Sequence, residues 1–371
     1  MTDEAIRELV RLAANGLGRM RSVEDPLLFA HEIAGKDARP RGTSLRYSLM
    51  VLLGTSRAEE HGIDCRTDRK KLWRRLLERV DSPQLTRGDV GLYLWNAARL
   101  GASEGPQLLQ RVKTATENVA LLRSLEGMEV AWLMIGLVEY ARVFQDDAAR
   151  RLAENIGRFL FDEMVSLSGL LYQHGKRDLR RPLPNFATQI YGLLALSMAA
   201  RAGLEDAPER YRQAAVRLAE AMLRSQLSDG GWPWIFSADE GVVVEPYEIY
   251  SVHQDAMAPM ALLALYRLTQ DARYLEISRK SVDWIFGQNE LGQNMLQDGH
   301  GFIFRSIRRR KPWDRLTLWS QSGLAIVRSK LPRGLPRVPN IPVKTPVEIN
   351  RTCRPYHLGW ILEAWSGVVS K

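Results

Sequence analysis

The chain has 371 residues, 45% of them hydrophobic, enough apolar surface for a large core, so a mainly disordered chain is excluded. Lys and Arg number 52 against 43 Asp and Glu, a formal charge of +9, and two cysteines, Cys65 and Cys353, supply neither a disulfide framework nor a four-cysteine zinc site. Met1 to Arg21 lacks a signal-peptide core and the longest apolar run, Ala131–Val138, is far short of a membrane span, so the sequence reads as a soluble, cytoplasmic protein.

In chain order, Asp3–Met20 reads as an amphipathic helix, because Ile6, Leu9, Val10 and Ala13 recur at three- and four-residue spacing among charged positions. Thr43–Thr55, next, is apolar on most sides, the mark of a buried helix. The alternation continues with Arg69–Val80 half-exposed and Asp89–Leu100 buried, then Gln107–Leu122 and Glu126–Val143, Asp147–Val165 and Phe186–Arg201. Pro208–Gln226 and Ser251–Leu268, then Ala272–Gly287 and Pro355–Val369, complete the series. Strand-like runs are almost absent, Gly241 to Val244 being the best of few. Hairpins repeated at this scale form a solenoid or a closed ring, and a last helix of the buried type suits closure against the first hairpin. The expected fold is all-α, an (α/α)6 toroid or barrel of six helical hairpins spanning residues 1–371 as a single domain.

Links from inner to outer helices are short, whereas those from outer to inner lengthen at 166–185, 227–250 and 288–354. Long connections in a compact fold carry function, and these three emerge on the rim where the inner helices begin. That rim also gathers the positive ends of the helix dipoles, a natural place for anionic groups. The longest connection forms a rim insertion at 288–353, whose Pro332, Pro336, Pro339, Pro342 and Pro346 favour an extended, helix-free stretch.

The first turns of the inner helices place polar, aromatic and ionisable residues on otherwise apolar helices, the local inconsistency expected at a site. They are Arg46 and Tyr47, then Asp89, then Glu129, then Asn185 and Gln189, then Tyr250, His253 and Asp255, and last Arg354, Tyr356, His357 and Trp360. Asp89 and Glu129 also suit ordinary helix starts, and Asn185 an ordinary N-cap. The loop from Gln226 to Trp234 offers Trp232 and Trp234 as platforms on which sugar rings stack, or else a turn that stabilises a hairpin; Trp313 and Trp319 are further platform candidates.

Gln226 to Trp232 resembles the Gln-x-x-x-Gly-x-Trp repeat of terpenoid cyclases. The wider Asp229-Gly230-Gly231-Trp232 form is similar to loops in sugar-acting α/α toroids: six-hairpin glycosidases, toroid polysaccharide lyases and uronyl epimerases. Terpenoid cyclases that protonate their substrate carry an Asp-x-Asp-Asp motif, and this chain has none. Protein prenyltransferases also resemble this architecture and hold zinc through Asp, Cys and His, but Asp255, Cys353 and His357 lack the Asp-x-Cys part of that pattern. The resemblance therefore implies a carbohydrate-active protein that needs no metal or cofactor.

A glycoside hydrolase needs two carboxylates about one bond, for which Asp89, Glu129 and Asp255 are candidates. A lyase or epimerase acting on an acidic saccharide needs a base such as His253 or Tyr250, with Arg46, Asn185 or Arg354 stabilising developing negative charge. A terpenoid substrate, its carbocation stabilised by aromatic rings, and a non-catalytic glycan-binding scaffold are the alternatives. Nucleic acid is not an expected partner, because the runs Arg308 to Lys311 and Lys176 to Arg181 accompany no groove-reading motif. Only 10 of the basic residues are Lys and 42 are Arg, a bias that codon usage can produce alone. Its placement carries more meaning: Arg41, Arg46, Arg87, Arg351 and Arg354 fall at inner-helix starts, where an anionic substrate would be held.

Overall fold

The structure, a computed structural model, describes residues 2–34, 38–204, 208–297, 301–330 and 345–369. The outer helix α1 (Asp3–Gly16) precedes the inner helix α2 (Leu45–Glu60), and α3 (Arg69–Leu77) precedes α4 (Asp89–Leu100). Then come α5 (Gly105–Glu117), the short α6 (Val119–Ser124) and the inner α7 (Gly127–Phe144), followed by α8 (Asp147–Phe159) and α9 (Phe186–Ala202). α10 (Pro208–Leu223) is outer to α11 (Ala258–Thr269), α12 (Ala272–Val282) is the last outer helix, α13 (Trp313–Lys330) lies in the last connection, and α14 (Pro355–Val369) is the sixth inner helix. Each inner helix packs on the next, and α14 closes the ring on α2 while α1 covers its outer side. The fold is an (α/α)6 toroid.

The two helix types have different physical origins. Thr2, Asp68, Asp146 and Asp271 cap outer helices by accepting first-turn backbone N–H groups, and one apolar stripe, such as Ile6, Leu9, Val10 and Ala13, faces inward. Inner helices are buried nearly all round, as α9 is from Phe186 to Ala200 apart from Met198. Their backbones meet where glycine removes the side chain. A Cβ at Gly54 would fall on the Gly359 carbonyl, and one at Gly136 on the Gly91 carbonyl, so these neighbouring helices approach too closely for even a methyl group.

The rim connections carry small antiparallel sheets in place of unstructured loops. β1 (Glu32–Ala34) pairs with β2 (Arg39–Arg41), and a bridge from Ile33 to Cys353 ties this first hairpin to the approach of α14. β3 (Ile235–Ser237) pairs with β4 (Val242–Glu245), so the expected strand is present. β5 (Ile249–Tyr250) leads into the fifth inner helix, and β6 (Leu296–Gln297) pairs with β7 (Phe302–Ile303). β8 (Ser306–Arg309) lies between β5 and β9 (Val347–Asn350) in a three-stranded sheet.

Ahead of the proline-rich stretch the insertion carries α13; Pro332, Pro336, Pro339 and Pro342 lie outside the described residues, and Pro346 leads into β9. α13 leans on β4 and β8, and the buried Arg328–Glu240 pair, 3.5 Å apart, anchors it. Trp313 and Trp319 point into solvent from this helix with Leu316, Leu324 and Val327, which gives them no place among the rim residues below. Among the described residues no helix is long and apolar enough to cross a membrane.

Candidate functional site

The inner helices begin at one mouth of the ring, and their starts fix its side chains. Ser44 caps α2 through the N–H of Tyr47, and Asn185 caps α9 through that of Thr188. The fifth inner helix opens with a wide π-turn over His253–Met257 before continuing as α11, and α14 starts on Pro355, whose fixed φ suits a first helical position.

His253 is the chemically distinctive residue here. Its imidazole is sandwiched between Phe186, 4.1 Å away, and Trp234, 5.6 Å away, with the Tyr250 ring 4.9 Å off. It is buried, and its Nδ1 has no hydrogen-bond partner among the described residues. Burial first, then His357 and Arg305, push its pKa well below the usual histidine value, so it is neutral at pH 7. Burial instead pushes the Tyr250 phenol up, further raised by Glu248 and opposed by Arg305, so Tyr250 keeps its proton. Of the two bases the sequence offers, His253 can accept a proton and Tyr250 can donate one.

Cations and phenols stand beside this pair. The Arg305 guanidinium lies 5.2 Å from the Tyr250 ring, and its Nε is a buried donor without a partner among the described residues. Tyr356 lies tilted against Tyr47 at 4.6 Å, and Tyr47 stacks on His31 at 5.6 Å. Burial, and then the neighbouring Tyr47, hold the Tyr356 phenol protonated. Arg46 sits 5.2 Å from the Trp132 ring and grips Asp89 at 2.6 and 2.9 Å.

Each candidate carboxylate already has a structural partner. Asp89 also accepts the Thr86 backbone N–H at 2.7 Å, and Glu129 accepts the Glu126 N–H at 3.0 Å in a capping box. Asp255 receives His357 Nε2 at 2.7 and 2.8 Å, both residues being buried. Burial raises the Asp255 pKa, and His357 partly offsets that rise. This pair pins the start of the fifth inner helix to the sixth. Among the described residues no three His, Cys, Asp or Glu side chains gather as metal ligands.

Several expected substrate-binding residues also have structural work. Gln189 exchanges two hydrogen bonds of 2.8 Å with the Leu171 backbone, Asn185 is the N-cap described above, and Trp232 is buried against Phe186 with its backbone N–H donated to Gln254. The glycine-rich motif itself closes a turn: Gln226 donates to the Gly230 carbonyl at 2.8 Å, and Gly230 takes a φ of +87°. Arg354 is occupied by the His31 carbonyl at 2.6 Å and by Glu32 at 3.2 Å, joining the first rim hairpin to α14. Arg305, His31 and Tyr47 complete the mouth; Arg305 sits in the longest connection, where nothing distinguishes it from neighbouring arginines.

An aromatic septum closes the lumen below this mouth. Trp360 lies 5.9 Å from Trp95 and 6.1 Å from Tyr191, which meets Trp132 at 5.3 Å, and all four rings are buried. Trp360 thus belongs to the floor. On its far side, where the inner helices end, a cavity of about 740 Å3 opens with Trp95 in its wall.

No protein-family model matches the sequence, and no curated protein matches it by sequence. Its fold, however, is shared along nearly the whole chain by solved structures. An unsaturated glucuronyl hydrolase specific for heparin is 14% identical with a TM-score of 0.64, covering 98% of this chain and 96% of that one. A sugar epimerase from a ruminal bacterium is 11% identical with a TM-score of 0.64, covering 99% of both chains. Cellobiose 2-epimerase from Bacillus thermoamylovorans is 9% identical with a TM-score of 0.63, covering 99% of this chain and 100% of that one.

Proposed function

We propose that the protein is an enzyme acting on an acidic saccharide, and that its reaction begins with removal of a proton beside the sugar carboxylate. The carrying observation is the neutral, buried His253 with an unpartnered nitrogen, beside a protonated Tyr250 and the Arg305 guanidinium, whose Nε has no partner among the described residues. His253 takes the proton from the carbon next to the carboxylate, and the electron pair passes into the carboxylate, whose extra charge Arg305 and Arg46 hold. Return of a proton to the opposite face gives the epimer. Expulsion of the glycosidic oxygen from the adjacent carbon, with a proton from Tyr250, gives an unsaturated uronate and a free hydroxyl. The acidic-sugar hydrolase and the sugar epimerases that share the fold support a saccharide substrate.

Uronate-containing oligosaccharides incubated in heavy water test the reading. Deuterium at the carbon next to the carboxylate identifies epimerisation, and a new conjugated-uronate absorbance identifies elimination. Neither signal with any uronate tested sinks the proton-abstraction mechanism. Hydrolysis is the second reading, favoured by one observation: Asp89 and Glu129, on neighbouring inner helices, both act on the Arg46 guanidinium. New reducing ends without deuterium or absorbance would select it.

A further inference from the structure

The opposite mouth has a chemistry of its own. Its cavity of about 740 Å3 is lined by Arg57, Arg99, Arg142, Arg201 and Arg267 against Glu60, Glu139 and Glu363, above an apolar wall that includes Leu194, Met198 and Met260. The five arginines come from five different inner helices, each from the last turn. On α14 the final turn has Gly367, where a Cβ would meet the Arg57 guanidinium at 2.9 Å, so the missing side chain leaves room for that arginine.

Complementing a helix C-terminal dipole explains one cation per helix and nothing more. Three of the arginines also have carboxylate partners: Arg57 pairs with Glu60 at 2.9 Å, Arg142 with Glu139 at 2.9 Å, and Arg99 with Glu363 through bonds of 3.2 and 2.9 Å. Arg201 and Arg267 have none among the described residues, and both reach solvent in the cavity. Arg267 loses hydration on entering it and then meets Arg57 and Arg201, which disfavours its charged form. Unpaired like charges gathered in one concave, partly apolar space lack a counter-ion. A guanidinium fork matches carboxylate and phosphate oxygens in pairs, and a cavity of this volume is the size of an ordinary small-molecule site.

We infer that this mouth is a second ligand site, separated from the first by the tryptophan septum, for a small molecule bearing two or more carboxylate or phosphate groups. Arg201 and Arg267 engage the acidic groups, with Arg57 beside them, while the apolar wall receives the body of the ligand.

Calorimetric titration of the full chain at low ionic strength with citrate and, separately, with pyrophosphate tests this. At least one is expected to bind, and the Arg201→Gln/Arg267→Gln double variant to bind about tenfold more weakly or worse. Arg267→Lys, which keeps the charge but loses the fork, falls between. Arg212→Gln, on the outer helix α10, binds as the parent does. Citrate alone indicates a polycarboxylate, pyrophosphate alone a phosphorylated ligand. The inference is overturned by absence of binding of either probe to the parent, by undiminished binding to the double variant, or by equal weakening in Arg212→Gln, which would mark diffuse charge attraction. Unchanged circular dichroism of the double variant confirms that the comparison is between folded proteins.

Discussion

Where the inner helices begin, cations stand beside phenols and one neutral imidazole; where they end, five arginines face three glutamates. The helix dipoles oppose one another at these two mouths, positive at the first and negative at the second. An arginine at the first mouth therefore works against the local field, and Arg46 is accompanied by the carboxylate of Asp89 at 2.6 Å. Arg305 stands there beside the Tyr250 ring, with its Nε buried and without a partner among the described residues. At the second mouth the field itself accommodates arginine, so number means less than partnership, and the unpaired Arg201 and Arg267 are the informative pair. The same residue type has to be read against opposite backgrounds at the two ends of one lumen.

The strongest way to break this division is at His253. Replacing it with Gln should lower turnover about 100- to 10,000-fold, the usual contribution of a general base, with little change in affinity for the saccharide. Unchanged turnover in steady-state kinetics would remove His253 from the reaction and move attention to Asp89 and Glu129. Asp255→Asn tests whether the first mouth depends on the fifth inner helix being pinned to the sixth. Leaving one partner of a buried hydrogen bond unsatisfied typically costs about 1–3 kcal/mol, which urea denaturation would register, and the Asp255–His357 pair is buried.

Much of the ring was legible because its signals are local and repeated. The apolar periodicity of Ile6, Leu9, Val10 and Ala13 and the all-round burial of α9 follow from composition alone, so helix type and order could be read without contacts. The rim is less legible, because its strands are two to four residues long and gain their registry from partners distant in sequence, such as Ile33 with Cys353. At the first mouth, sequence placed His253, Tyr250 and Tyr356 together but could not separate a platform from a core residue: Trp232 and Trp234 are two positions apart, and only Trp234 reaches His253. The second mouth is harder to see in the sequence. Arginines stand out at helix starts, whereas Arg57, Arg99, Arg142, Arg201 and Arg267 recur in the last turns of successive inner helices. That recurrence is periodic in the fold and spaced unevenly in sequence, which hides it.

Smaller effects sharpen the same comparison. Gly54→Ala forces a methyl group onto the Gly359 carbonyl and should cost about 1–3 kcal/mol by spreading α2 from α14, a change that thermal unfolding reports. The pH dependence should carry a contribution from the first mouth. Since the folded His253 pKa lies well below 6.5, the unfolded chain binds the extra proton first on acidification. The stability tied to its neutral form is therefore complete above about 6.5 and lost as pH falls below it, by up to about 1.4 kcal/mol per pH unit. His253→Gln should flatten that slope in denaturation series between pH 7 and 5, relative to the parent run alongside (about the window set by an ordinary histidine).

The smallest expected effect is the most discriminating. Arg201 and Arg267 make no ion pair among the described residues and are exposed, so changing both to Gln removes no native contact of consequence. Stability should move by no more than about 0.5 kcal/mol at each site, and saccharide turnover at the first mouth should be unaltered without added anion. The reason is the septum: Trp95, Trp360, Tyr191 and Trp132 fill the lumen between the mouths, so a charge lost at one end meets packed indole before it reaches Arg305 or His253. A fall in turnover with full anion-free stability would mean that the two mouths communicate through that septum. Equal turnover, with ligand binding at the second mouth weakened, would establish two sites in one ring that share walls and nothing else.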